Sequence, residues 1–97
     1  MEEEIWKPIL KYPGYEVSSL GRVKSYKQNK EGKIISGSKS KGYIKIDFRI
    51  NNNTVQDLVH RVVLSTFCPV DNWETLTVNH KNGNPLDNRL ENLEWMT

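Results

Sequence analysis

Ninety-seven residues, 36% hydrophobic and 27% charged, are enough for one small core and leave no room for a second. The only cysteine, Cys68, excludes an intramolecular disulfide and any zinc site needing two thiolates, and no apolar run approaches the ~18 residues of a membrane span. The net charge of +2 hides a division: residues 20 to 50 hold nine Lys or Arg against two acids, a local +7 that attracts polyanions, while the remainder sums to −5.

The first segment, Glu4 to Leu10, ends at the turn signal Tyr12-Pro13-Gly14. Tyr15-Glu16-Val17-Ser18 and Arg22-Val23-Lys24-Ser25-Tyr26 flank Ser19-Leu20-Gly21 and read as a hairpin. Lys33 to Ser36 reads as a further short strand, and Gly37 to Gly42 as a Gly/Ser/Lys loop. The strongest pattern is Tyr43 to Ile50, where Ile44, Ile46, Phe48 and Ile50 share one side and Tyr43, Lys45, Asp47 and Arg49 the other. Asn51-Asn52-Asn53-Thr54 supplies the following turn, since Asn tolerates left-handed backbone.

After Val55 the period changes, predicting a short helix near residues 57 to 67 with Asp57 as its cap and Cys68-Pro69 as its stop. Leu76 to His80 and Leu93 to Thr97 then read as two short strands around an Asn-rich loop. The expected fold is α+β: a small antiparallel N-terminal sheet of three or four strands, one helix and a C-terminal β-hairpin. It forms a single unit over 1–97, with a β module at 1–54 and a helix plus hairpin at 55–97. On the sheet's polar face, Arg22, Lys24, Lys27, Lys33, Lys45 and Arg49 are expected to contact the phosphates of a polyanion. Neutralising about six phosphates gives a logarithmic salt slope of about −5.

The chemistry is expected in Val78-Asn79-His80-Lys81-Asn82-Gly83-Asn84-Pro85-Leu86-Asp87-Asn88-Arg89-Leu90-Glu91-Asn92-Leu93-Glu94-Trp95. It sets a histidine at a strand end, directly after an amide able to offer oxygen to a metal. This segment resembles the HNH endonuclease signature, the ββα-metal finger of phage and intron-encoded homing nucleases. Trp6, Tyr15 to Ser18 and Gly21-Arg22-Val23 resemble the DNA-binding module often joined to such nucleases. Val59-His60-Arg61-Val62-Val63 with Phe67 resembles the stretch between them.

The resemblance implies DNA phosphodiester hydrolysis with His80 as general base, Asn92 holding the loop and orienting His80, and Asn79 as metal ligand. It also implies weakly held Mg²⁺ or Mn²⁺ and a cytoplasmic setting in a phage or its bacterial host, to which the Met-Glu-Glu-Glu opening, unlike a targeting peptide, adds no objection. Two departures stand out. Asn79 occupies a place where the family often has Asp, and the family's final helix has no counterpart up to Thr97. They leave a second reading open, a DNA-binding module with an incomplete, catalytically silent HNH motif. The state expected is a monomer or weak homodimer.

Other residues carry structural expectations. His60 is expected to make a structural hydrogen bond or to serve the helix end, and Trp6, Trp73 and Trp95 to pack in the core or at hinges. Asp87, Glu91 and Glu94 are expected to face solvent. Turn chemistry is expected to account for most of Asn82, Gly83, Asn84, Asp87 and Asn88.

Overall fold

Alternating side chains build most of this chain, and the computed structural model, which describes residues 3–97, shows where each alternation leads. In β2 (Tyr15–Ser18) Tyr15 and Val17 are buried; in β3 (Val23–Ser25) it is Val23. With β1 (Trp6–Pro8) and β4 (Lys33–Ile35) they form an antiparallel sheet in the order β1-β2-β3-β4. Gly21, at φ +87°, closes the β2–β3 turn with its N–H on the Ser18 carbonyl at 3.0 Å.

A second sheet, β5-β6-β7, joins Ser38–Ser40 (β5), Tyr43–Ile50 (β6) and Asn53–Leu58 (β7). Two residues at positive φ close each of its turns: Lys41 (+53°) with Gly42 (+87°), and Asn51 (+51°) with Asn52 (+67°). This twist suits a tight hairpin between right-handed strands. The last element pair, β8 (Thr77–His80) and β9 (Leu93–Met96), is a two-stranded hairpin.

Three expectations change here. The +7 segment is divided between two sheets instead of lying on one face, because β4 pairs back to β3 while β5 pairs forward to β6. Ser38–Ser40, read as loop, is an edge strand; its pairing to Lys45, Ile44 and Tyr43 is backbone chemistry that no side-chain pattern announces. Residues 55 to 58, read as the helix approach, stay in β7 through Leu58, and the helix α1 occupies Val59–Phe67. Asp57 therefore does not cap it. Leu58 is the N-cap residue without a side-chain bond, while Asp57 accepts from the Tyr12 hydroxyl at 2.6 Å and the Leu58 N–H at 2.8 Å.

One apolar cluster unites the elements: Tyr15, Val17 and Val23 from the first sheet, Ile46 and Phe48 from β6, Val59, Val62, Val63 and Leu64 from α1, and Leu93 from β9. Phe48 stacks on Tyr12 at 4.0 Å and meets Tyr15 edge-on at 4.9 Å, so it ties both sheets together. Residue 54, where the sequence suggests a division, lies inside β7, whose pairing with β6 runs on to Leu58.

Candidate nuclease site and basic cleft

Strand β8 delivers His80 at its end, opposite Leu93 of β9. Alternation sends the His80 ring inward, leaving it 8% exposed. Its Nε2 lies 3.0 Å from the Asn88 side-chain oxygen. An amide oxygen only accepts, so this contact requires Nε2–H and leaves the Nδ1 lone pair available as a base. Asn88 is itself buried, and the β2–β3 turn supports it from behind. The Leu90 N–H bonds the Ser19 carbonyl at 2.8 Å, and a side chain on Gly21 would meet the Asn88 carbonyl at 2.8 Å. Glycine is needed there for space as well as for φ.

Asn92, 5% exposed, is hydrogen-bonded across the loop. Its oxygen accepts the Asn82 N–H at 3.0 Å, and its amide donates to Asn82 Oδ1 at 3.0 Å and the Asp87 carbonyl at 2.9 Å. The residue hydrogen-bonded to the His80 ring is Asn88 instead, whose oxygen accepts from Nε2–H. Turn chemistry alone therefore undervalues Asn88, and no spacing rule marks it among four neighbouring asparagines.

A second histidine stands beside the first. His60, in the first turn of α1, meets the His80 ring edge-to-face at 5.1 Å, and Tyr43 of β6 tilts against both at 5.2 Å and 6.1 Å. The structural hydrogen bond expected of His60 is not at Nδ1, which is buried with no hydrogen-bond partner among the described residues. Burial, then the neighbouring His80 and Arg61, lower its pKa from 6.5 to about 4, with Asp57 opposing. A folded state that binds this proton poorly loses stability as pH falls from above 6.5 toward 4. We expect His60→Phe, which fills the same space without the orphaned nitrogen, to raise the urea midpoint at pH 7 and to flatten its decline between pH 7 and 5. Parallel denaturation series of the two proteins check both.

Arg61, one residue on, binds α1 to the hairpin. It donates to the Leu76 carbonyl at 2.8 Å and the Trp73 carbonyl at 3.0 Å, and its guanidinium lies over Trp73 at 5.6 Å and Trp95 at 5.7 Å. Trp73 and Trp95 thus pack as expected, at the joint between helix and hairpin.

On the opposite face of β8, Asn79 is exposed and donates its amide to Glu94 Oε2 at 2.8 Å. Carbonyl and carboxylate oxygens are the donors that Mg²⁺ and Mn²⁺ prefer, so these residues fit a hard divalent cation. Among the described residues, no three His, Cys, Asp or Glu side chains gather around one point. The other carboxylates are committed elsewhere. Asp87, expected in solvent, is half-buried; the Arg89 guanidinium, bonded at 2.7 Å and 2.8 Å, and the Asn82 amide hold its carboxyl well below the usual range. Exposed Glu91 pairs with Arg89 at 2.6 Å.

Of the six cations expected on DNA, the structure gathers four. Lys27, Lys33, Lys45 and Arg49 line an open cleft of about 530 Å³ between the sheets, together with Gln28 and Asn29. Arg22 and Lys24 lie apart from it over Trp6, at 5.6 Å and 4.1 Å, and Arg22 is also forked onto Glu4. Tyr43, Lys45 and Arg49 project from the same side of β6 by alternation, so one strand links the histidine pair to the basic cleft.

Comparison with known proteins agrees with this architecture. Residues 4–49 match the NUMOD4 motif and residues 57–97 match the HNH endonuclease family. An uncharacterized HNH endonuclease of Acanthamoeba polyphaga mimivirus is 40% identical over 99% of the chain, which spans 24% of that protein. DNA endonuclease I-HmuI of Bacillus phage SP01 is 38% identical over 95% of the chain and 52% of its own length. H-N-H endonuclease F-TflII of Escherichia phage T5 is 35% identical over 100% of the chain and 50% of its own length. The chain thus spans from a quarter to about half the length of these relatives. In three dimensions it is similar to the HNH homing endonuclease I-HmuI, whose solved structure describes DNA binding and cleavage, with a TM-score of 0.81 and 37% identity over 100% of this chain and 53% of that one. Two matched segments in the same order, and a backbone shared with a solved homing nuclease along its whole length, place the chain in the HNH endonuclease family.

Proposed function

We propose that this chain binds double-stranded DNA in its basic cleft and hydrolyses a phosphodiester bond with His80 as general base. The observation that carries the reading is the Asn88–His80 contact, which gives a strand-end imidazole a defined tautomer with Nδ1 free. Nδ1 takes a proton from water as the water oxygen attacks phosphorus and the ester oxygen departs. The imidazolium so formed keeps its Nε2–H on the Asn88 oxygen, so the ring does not turn between states. HNH endonucleases use a divalent metal, and we assign Mg²⁺ or Mn²⁺ to Asn79; when bound it supplies positive charge to the phosphate and the leaving oxygen. Asn92 acts at one remove, keeping the loop in the conformation that presents Asn88.

Residues 1–54 supply most of the DNA surface in this reading, and 55–97 the chemistry. The cleft cations are spread along β4, β6 and the loop after β3, so they track a backbone and not a single phosphate. Four neutralised phosphates correspond to a logarithmic salt slope of about −4, and Lys45→Ala or Arg49→Ala should each flatten it by about one. Fluorescence anisotropy with a labelled duplex at stepped salt measures this, and a slope near zero removes the cleft from the proposal.

Supercoiled plasmid incubated at low salt with Mg²⁺ or Mn²⁺ tests the reaction. Conversion to open circles that stops with EDTA is the expected outcome. Retardation of DNA with no conversion in either metal overturns the catalytic reading and leaves a DNA-binding module with a silent HNH motif. We assign a monomer on DNA, and sedimentation across a concentration series tests it against a weak dimer.

A further inference from the structure

Residues 78–95 hold three carboxylates, and the structure treats one of them differently. Asp87 and Glu91 are both ion-paired to Arg89. Glu94 has no Lys or Arg partner within ion-pair distance among the described residues; its contact is the Asn79 amide across the hairpin. Asn79 and Glu94 are cross-strand partners in register, so their side chains leave the same face at neighbouring positions. The bond uses an Asn79 N–H, which leaves the amide oxygen to face a ligand.

An uncompensated negative charge beside a neutral oxygen donor has a chemical use. Asparagine binds a divalent cation without the charge that aspartate would bring, and Glu94 restores that charge one side chain away. Mg²⁺ and Mn²⁺ keep several waters when they bind proteins, and a carboxylate at this range can accept hydrogen bonds from them. We infer that Glu94 is the anionic half of the cation site, holding the ion through its retained waters while Asn79 offers the direct oxygen. The inference rests on the assignment of the cation to Asn79 and extends it by naming the residue that carries the charge.

The test uses Mn²⁺ added to the ¹⁵N-labelled chain, with paramagnetic broadening as the readout, so no turnover is required. The expected result is selective broadening of the Asn79 side-chain amide and of the residues around Glu94. Glu94→Gln keeps an oxygen for the Asn79 N–H but loses the charge, and should need at least ten times more Mn²⁺ for the same effect. Glu94→Asp should recover part of it, and Glu91→Gln should titrate like the parent. An unchanged spectrum apart from residue 94 confirms that each variant is folded.

Three results overturn the inference: Glu94→Gln titrating like the parent, broadening centred on Asp87 and Glu91, or no selective broadening in the parent. The reading of the chain as a nuclease fails separately. Mn²⁺ bound at Asn79 and Glu94 without plasmid nicking refutes the nuclease and keeps the site, whereas nicking with a Glu94→Gln titration equal to the parent does the reverse.

Discussion

His80→Ala should lower single-turnover nicking about 10² to 10⁴-fold while leaving duplex affinity within about twofold of the parent. The expectation follows from what the substitution removes. The imidazole is the group whose Nδ1 is presented by a hydrogen bond at Nε2, and it lies outside the four-cation cleft proposed to hold the DNA. Binding and chemistry are therefore separable. Asn88→Ala should reproduce part of the rate loss, because the ring remains but its tautomer and direction are no longer imposed. Rates measured at saturating protein, alongside anisotropy for affinity, distinguish the cases. A parallel fall in affinity and rate for His80→Ala would show instead that the ring supports the fold or the DNA surface.

Phe48→Ala should cost about 3 to 5 kcal/mol, a large share of the roughly 5 to 15 kcal/mol that holds such a domain together. Phe48 is fully buried, stacks on Tyr12 and meets Tyr15, whose hydroxyl accepts the Arg49 N–H at 2.9 Å. Its removal opens a cavity at the seam of two sheets too small to close over it. The melting temperature should fall by at least about 12 °C. Leu10→Ala, at a side chain 91% exposed, should leave it almost unchanged. Phe48 and Arg49 are adjacent and point to opposite sides of β6. Arg49→Ala should thus weaken DNA binding with little effect on stability, and Phe48→Ala should lower the melting temperature while leaving the DNA affinity of the folded protein close to the parent's. Calorimetry on the three variants tests the division.

The same alternation that separates Phe48 from Arg49 is what made β6 readable before any coordinates. Period two along Tyr43–Ile50 is local information: each residue's side of the strand follows from its parity. The turn was legible at Asn51 and Asn52, since Asn tolerates the positive φ it requires, whereas Asn53 and Thr54, read with it, already pair in β7. Edge strand β5 was not, because Ser38, Lys39 and Ser40 pair through backbone groups that every residue carries. The start of α1 was misplaced for a related reason. Val55 to Leu58 satisfies a helical stripe about as well as a strand, and the pairing with β6, settled across a hairpin, decides between them.

His80, Asn79 and Asn92 stood out in sequence because their order and spacing form a recognisable signature with a chemical purpose. Their surroundings did not. Asn88 was one of several loop asparagines until the fold set its oxygen against His80, and Glu94 one of several surface acids until the hairpin register set it opposite Asn79. His60 comes twenty residues before His80 and Tyr43 seventeen before His60; only the packing of α1 against β6 and β8 brings the three rings together. The charge of the 20–50 segment was likewise plain from composition, but its focus into a four-cation cleft depended on two sheets diverging between β4 and β5. The two faces of β6, the turn at Asn51 and Asn52 and the resemblance to the HNH signature are carried by consecutive residues, and sequence by itself shows them. The neighbours of His80, the charge beside Asn79 and the shape of the basic cleft are contacts between residues far apart in the chain, which exist only once burial and backbone pairing have chosen one arrangement.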